Sequence, residues 1–107
     1  MSATDGVEFD ERGDAVAIRL SGDIDLANAT VVQDEINSLI TNHVNAVVLD
    51  LTEVTYLDSA GLRILFTLAD RLRTLQTALE LVVPVTSPVR RAVELSGLAP
   101  FARLRGG

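Results

Sequence analysis

Residues 46–51 read Ala-Val-Val-Leu-Asp-Leu, nearly continuous in apolar character and without alternation. Side chains on a strand point to opposite faces in turn, so this run has no face to give to water. It suits a strand buried on both faces or lying in the middle of a sheet. Its neighbours carry a different rhythm. Upstream, Ala29, Val32, Ile36, Leu39 and Ile40 recur at helical spacing, and Asp25 or Asn28 can cap the helix they predict. Downstream, Leu62, Leu65, Phe66, Ala69 and Leu72 stand three and four apart and predict a second amphipathic helix, with Arg63, Asp70, Arg71 and Arg73 on its wetter face. A buried strand between two amphipathic helices requires an α/β fold.

The rest of the chain completes that fold. Gly6–Arg12, with Val7 and Phe9 among polar neighbours, suits an edge strand, and Gly13-Asp14 is a turn signal. Ala15–Leu20 follows as the second strand of a hairpin, ended by Ser21-Gly22-Asp23-Ile24-Asp25. Ala78–Val83 is a further strand stopped by Pro84. Ser87-Pro88 opens a third helix with Gly97 past its end, and Phe101–Leu104 is a short last strand. The order is β-β-α-β-α-β-α-β, a mixed sheet of four to five strands with three helices. Right-handed crossovers make the later strands parallel. The three helix starts then share one edge of the sheet, at 22–25, 56–61 and 84–88, where open α/β sheets usually bind partners.

Composition narrows the chemistry. A chain of 107 residues with one continuous pattern reads as a single domain over residues 1–107. Cysteine is absent, which removes disulfides, thiol catalysis and cysteine metal sites. The single histidine, His43, lies in a polar stretch and reads as a solvated residue near a helix end. No metal or cofactor is expected. One loop histidine cannot build a Ser-His-Asp set, and no glycine-rich phosphate loop is present, so no enzymatic activity is expected. A net charge of −6 argues against nucleic-acid binding. No apolar run approaches the roughly 18 residues that cross a bilayer, and the acidic start MSATDGVEFDERG is no signal peptide. A cytoplasmic protein without a membrane partner is expected.

Tyr56-Leu57-Asp58-Ser59-Ala60-Gly61 interrupts this otherwise well-patterned chain. Ser59 can serve as a helix N-cap. Capping leaves Gly61 unexplained, because glycine in a first helical turn costs on the order of 1 kcal/mol relative to alanine. A second reading accounts for the small residues together. First-turn amides lack intrahelical partners and carry partial positive charge, so they accept an anion. Bare backbone at Ala60 and Gly61 would admit another protein's active site to the Ser59 hydroxyl. The stretch is therefore suited to be a phosphoacceptor.

Tyr56–Leu62, placed after the strand at Ala46–Leu51, resembles the signature of STAS-domain proteins, specifically bacterial anti-sigma-factor antagonists. Leu20-Ser21-Gly22-Asp23-Ile24-Asp25 is similar to the family's Gly-[Asp/Glu]-hydrophobic-Asp loop, and Val89–Gly97 with Leu95-Ser96-Gly97-Leu98 to its third helix and turn. The resemblance covers nearly the whole chain. Family members often carry a further C-terminal helix, for which nothing here follows Arg105-Gly106-Gly107.

The resemblance implies partner switching. The unmodified protein would bind an anti-sigma factor that is also a serine kinase, and so free a sigma factor. Phosphorylation of Ser59 would end binding, and a serine phosphatase would restore it. Carried over by position, the partner-binding set is Asp23, Ile24, Asp25, Asp58, Ser59, Ala60, Gly61, Leu62 and Ser87. Asp25 and Asp58 have competing readings as turn or cap residues, whereas Asp23 has no evident capping task. STAS domains also serve in anion transporters, stress-signalling scaffolds and lipid-transport complexes. The free-standing chain with an intact Asp58-Ser59-Ala60-Gly61 favours the antagonist.

Overall fold

The computed structural model describes residues 7–41 and 43–106. Gly6, with which the first strand is expected to begin, the start of the chain before it, Asn42 and Gly107 lie outside the described residues. The elements are β1 (Val7–Arg12), β2 (Ala15–Ile24), α1 (Ala29–Leu39), β3 (Ala46–Leu57), α2 (Ser59–Thr74), β4 (Ala78–Val82), α3 (Arg90–Leu95) and β5 (Arg103–Arg105). The expected succession holds throughout. The five strands lie side by side in chain order; β1–β2 is antiparallel and every later pair is parallel.

Because each parallel crossover steps in the same direction, right-handed connections put all three helices on one face. Burial follows that arrangement. Ile18 and Leu20 of β2, Val47, Leu49 and Leu51 of β3 and Leu81 of β4 are buried against Val32 and Ile36 of α1 and Ile64, Leu65, Leu68 and Leu72 of α2. On the other face Ala46, Val48 and Asp50 are only half buried. Ala46–Leu51 is thus the middle strand of the sheet, not one sealed on both faces. The open face is dressed with charge: Arg19 reaches Glu8 at 3.5 Å and Asp50 at 3.9 Å, and Arg105 reaches Glu80 at 3.5 Å.

The structure corrects several element limits. β2 does not end at Leu20 and β3 does not end at Leu51. Each continues because the other pairs with it, through Ile24 and Leu57, with register shifts between Arg19 and Ser21 and between Gly22 and Asp23. Gly22, at φ +77°, supplies the left-handed backbone at the second shift. β4 stops at Val82, β5 covers Arg103–Arg105 instead of Phe101–Leu104, and Ile40 is buried but lies past the end of α1. Ser87-Pro88 forms a turn ahead of α3, with the Ser87 hydroxyl accepting from the Val89 amide at 3.2 Å. Gly97, at φ +89°, follows the helix as expected.

Two α2 residues also depart from expectation. Phe66, at an apolar-periodic position, is exposed, and Arg73 sits over the ring of the exposed Phe101 at 5.5 Å. Arg71, assigned to the wet face, is half buried: it donates to Asn37 Oδ1 at 2.8 Å and to the carbonyls of Asn37 and Ile40 at 3.4 Å. It thereby satisfies the Ile40 carbonyl past the end of α1 and gives the Asn37 carbonyl, which already accepts the Ile40 amide, a second donor.

Candidate functional site

Among the described residues the β2–β3 pair outruns the rest of the sheet. The last β3–β4 pair is Asp50–Val82 and the last β1–β2 pair is Val7–Leu20, yet β2 and β3 stay paired to Ile24–Leu57. A two-stranded ribbon therefore carries the starts of α1 and α2 beyond the neighbouring strands. Residues 51–57 amount to up to about 20 Å of chain at about 3.3 Å per residue.

Asp58 joins the two helix starts. Its amide donates to the Ile24 carbonyl at 3.2 Å. Its Oδ1 accepts from the Gly61 amide at 3.0 Å, making Asp58 the N-cap of α2. Its Oδ2 accepts from the Leu26 amide at 3.1 Å, across 32 positions of sequence. Ser59 is therefore not the cap, as one sequence reading had it, but the first residue of α2, and it is exposed. A stronger acceptor, an ionised carboxylate, stands one position earlier and takes the amide. The Ser59 and Ala60 amides find no acceptor among the described residues. A phosphoryl group on Ser59 would share this helix start with the Asp58 carboxylate.

Gly61 has a different role from the one its sequence context suggests. It is buried, and a Cβ there would stand 2.5 Å from Leu57 Cδ1 and 2.8 Å from the Ile24 carbonyl oxygen. The glycine lets α2 start directly against the ribbon's end. It does not keep the outer surface bare; Ala60 and the exposed Ser59 form that surface.

The turn after β2 is equally bonded. Asp23 is exposed and its Oδ1 accepts from the Thr55 hydroxyl at 2.6 Å. Asp25 Oδ1 accepts from the Ala27 amide at 3.0 Å. Asn28 stands at the N-cap position of α1 but makes no side-chain cap bond. Its side chain instead accepts from the Asp25 amide at 3.0 Å and donates to the Asp23 carbonyl at 2.8 Å. Neither capping candidate, Asp25 or Asn28, caps α1 through its side chain.

Of the residues nominated from sequence, Asp23, Asp25, Asp58, Ser59, Ala60 and Leu62 thus gather at the ribbon's end, with Leu62 partly buried. Ile24 is buried and Gly61 faces inward, so both support this edge from beneath. Ser87 belongs to the turn after β4, and its hydrogen bonds stay within that turn and the start of α3. The structure does not bond Ser87 to the other two loops. Leu26 was missed from sequence: it is an 81% exposed leucine inside the bonded turn. Only the long-range bond to Asp58 distinguishes it, and no local pattern announces such a bond. Among the described residues no group of three histidine or acidic side chains comes together to hold a metal ion. Among the described residues no helix is long and apolar enough to cross a membrane.

A single layer of helices on a mixed sheet of this strand order is an arrangement with known relatives. The STAS domain model matches residues 6–105, and the chain belongs to that family. It is 34% identical over 107 residues to the anti-sigma-F factor antagonist RsfB of Mycobacterium tuberculosis, covering 97% of this chain and 85% of that protein. The crystal structure of an anti-sigma factor antagonist from Mycobacterium paratuberculosis superposes with a TM-score of 0.78 at 26% identity, covering 100% of this chain and 92% of that one. The Bacillus cell fate determinant SpoIIAA in its phosphorylated form shares the fold, with a TM-score of 0.67 at 21% identity over 92% of this chain and 89% of its own.

Proposed function

We propose that this protein is an anti-sigma factor antagonist switched at Ser59. In its unmodified form it binds an anti-sigma factor with serine-kinase activity, in the bacterial cytoplasm, and a sigma factor is released. Transfer of a phosphoryl group to Ser59 ends the binding, and a serine phosphatase reverses it. The observation that carries this reading is the position of Ser59: exposed, first in α2, and next to a carboxylate that ties α2 to the preceding loop. The antagonist names of the mycobacterial relatives support the partner class.

The switch follows from charge. Phosphorylation adds roughly −1.5 to −2 at neutral pH. It does so beside Asp58, on an edge that also presents Asp23 and Asp25. A partner docked there would have to desolvate that charge. About 1.4 kcal/mol is enough to cost a tenfold in affinity. Asp23, Asp25, Asp58, Ala60 and Leu62 form the contact surface in this reading, Ile24 and Gly61 hold it from below, and Ser87 is an outlying contact.

The test is incubation with a cognate anti-sigma kinase and ATP, followed by mass spectrometry of the modified residue. One phosphoryl group on Ser59 is expected, and none in a Ser59→Ala variant. Ser59→Ala should bind the anti-sigma factor about as well as wild type, and Ser59→Asp at least tenfold more weakly. Modification elsewhere, or a Ser59→Asp variant that binds as tightly as wild type, would overturn the switch.

A further inference from the structure

Leu26 is the most exposed large apolar side chain among the described residues. A lone exposed leucine is ordinary. Its setting is not. Every amide from Asp25 to Ala29 is taken: Asp25 by Asn28 Oδ1, Leu26 by Asp58 Oδ2, Ala27 by Asp25 Oδ1, and Asn28 and Ala29 by the Asp25 carbonyl. Asn28 also closes back onto the Asp23 carbonyl. A large apolar group is thus held out to water on a turn whose every amide is already bonded in the folded state. Interface anchors have this character, because the ordering cost of binding is met before the partner arrives.

We infer that Leu26 is the apolar anchor of the docking surface and enters an apolar socket with a basic rim on the anti-sigma factor. The inference rests on the antagonist reading above. The basic rim follows from charge complementarity, since the Asp23, Asp25 and Asp58 carboxylates all belong to the two loops that hold Leu26. Continuity with the switch follows from Asp58: the carboxylate that fixes the Leu26 amide is one residue from Ser59. Negative charge on Ser59 repels that carboxylate, so modification loosens the anchor as well as adding charge.

Isothermal titration of the full chain against each purified anti-sigma factor of the host bacterium, and against mycobacterial anti-sigma-F factor, tests this. Leu26→Ala should weaken binding about ten- to a hundredfold. Leu26→Asp should abolish it, and Leu26→Met should keep most of it. Leu95→Ala and Leu95→Met, at another exposed apolar position (74%), should bind as wild type does. Circular dichroism melting should be unchanged for all five. If Leu26→Ala binds like wild type while Ser59→Asp does not bind, the anchor is refuted and the antagonist reading stands. If wild type binds none of these factors, the antagonist reading fails and the anchor with it.

Discussion

Asp58 divides its two carboxylate oxygens between two elements, and a conservative substitution can separate the two tasks. Asparagine offers one acceptor oxygen where aspartate offers two. Asp58→Asn therefore keeps either the α2 cap or the Leu26 tether. Asp58→Ala loses both, and the cap alone is worth about 1 kcal/mol. Urea denaturation should rank wild type above Asp58→Asn above Asp58→Ala. Gly61 gives a sharper case because two principles point in opposite directions. Replacing a helical glycine by alanine ordinarily stabilises by about 1 kcal/mol. Here the new Cβ meets Leu57 Cδ1 and the Ile24 carbonyl oxygen. The leucine can turn aside, but the carbonyl belongs to the ribbon and accepts the Asp58 amide. Gly61→Ala should therefore destabilise, by about 1–3 kcal/mol, and a rise in the urea midpoint would refute the close-packing account.

At the scale of elements, the parts legible in the sequence were those with internal periodicity. The faces of α1 and α2 were readable because their apolar spacing repeats, and so was the core of β3. The extensions of β2 and β3 were not. Ser21–Asp23 and Thr52–Glu53 lack strand alternation, and they stay extended only because each strand finds the other. The two cap readings of α2, Ser59 and Asp58, were left undecided for a related reason. Serine and aspartate are both good caps, and only the structure shows that the stronger acceptor, Asp58, takes the Gly61 amide while also reaching the Leu26 amide. Gly61 was noticed as anomalous, but its cause, the Ile24 carbonyl, lies 37 positions earlier in the chain. Arg71 belongs to the same class, since no local pattern joins it to the end of α1. Its bonds to Asn37 and Ile40 make Arg71→Ala a test of inter-helix capping. The expected loss is about 1–3 kcal/mol in chemical denaturation. Arg63→Ala, on the exposed face of the same helix, should lie within about 0.5 kcal/mol of wild type.

For the whole molecule, one layer of helices on one face leaves the other face and the ribbon's end as separate surfaces. With a net charge of −6, a basic partner should be drawn in over long range. Its association rate should fall as ionic strength rises from roughly 0.05 M to 0.5 M, with a smaller change in dissociation. Stopped-flow measurement across that range would check it. The ribbon has a consequence for how stability is distributed. Among the described residues, past Leu20 and Asp50, β2 and β3 have only each other as strand neighbours. Two-stranded segments are marginal by themselves. This end can therefore melt as its own small foldon while the five-stranded body stays intact. Amides of residues 21–29 and 51–57 should exchange with solvent deuterium through such partial openings, whereas those of Ile18, Val47 and Leu49 wait for global unfolding. In the proposed switch, partner and kinase would then act on the least cooperative part of the domain, where protection from exchange can rise or fall without the rest of the protein registering it.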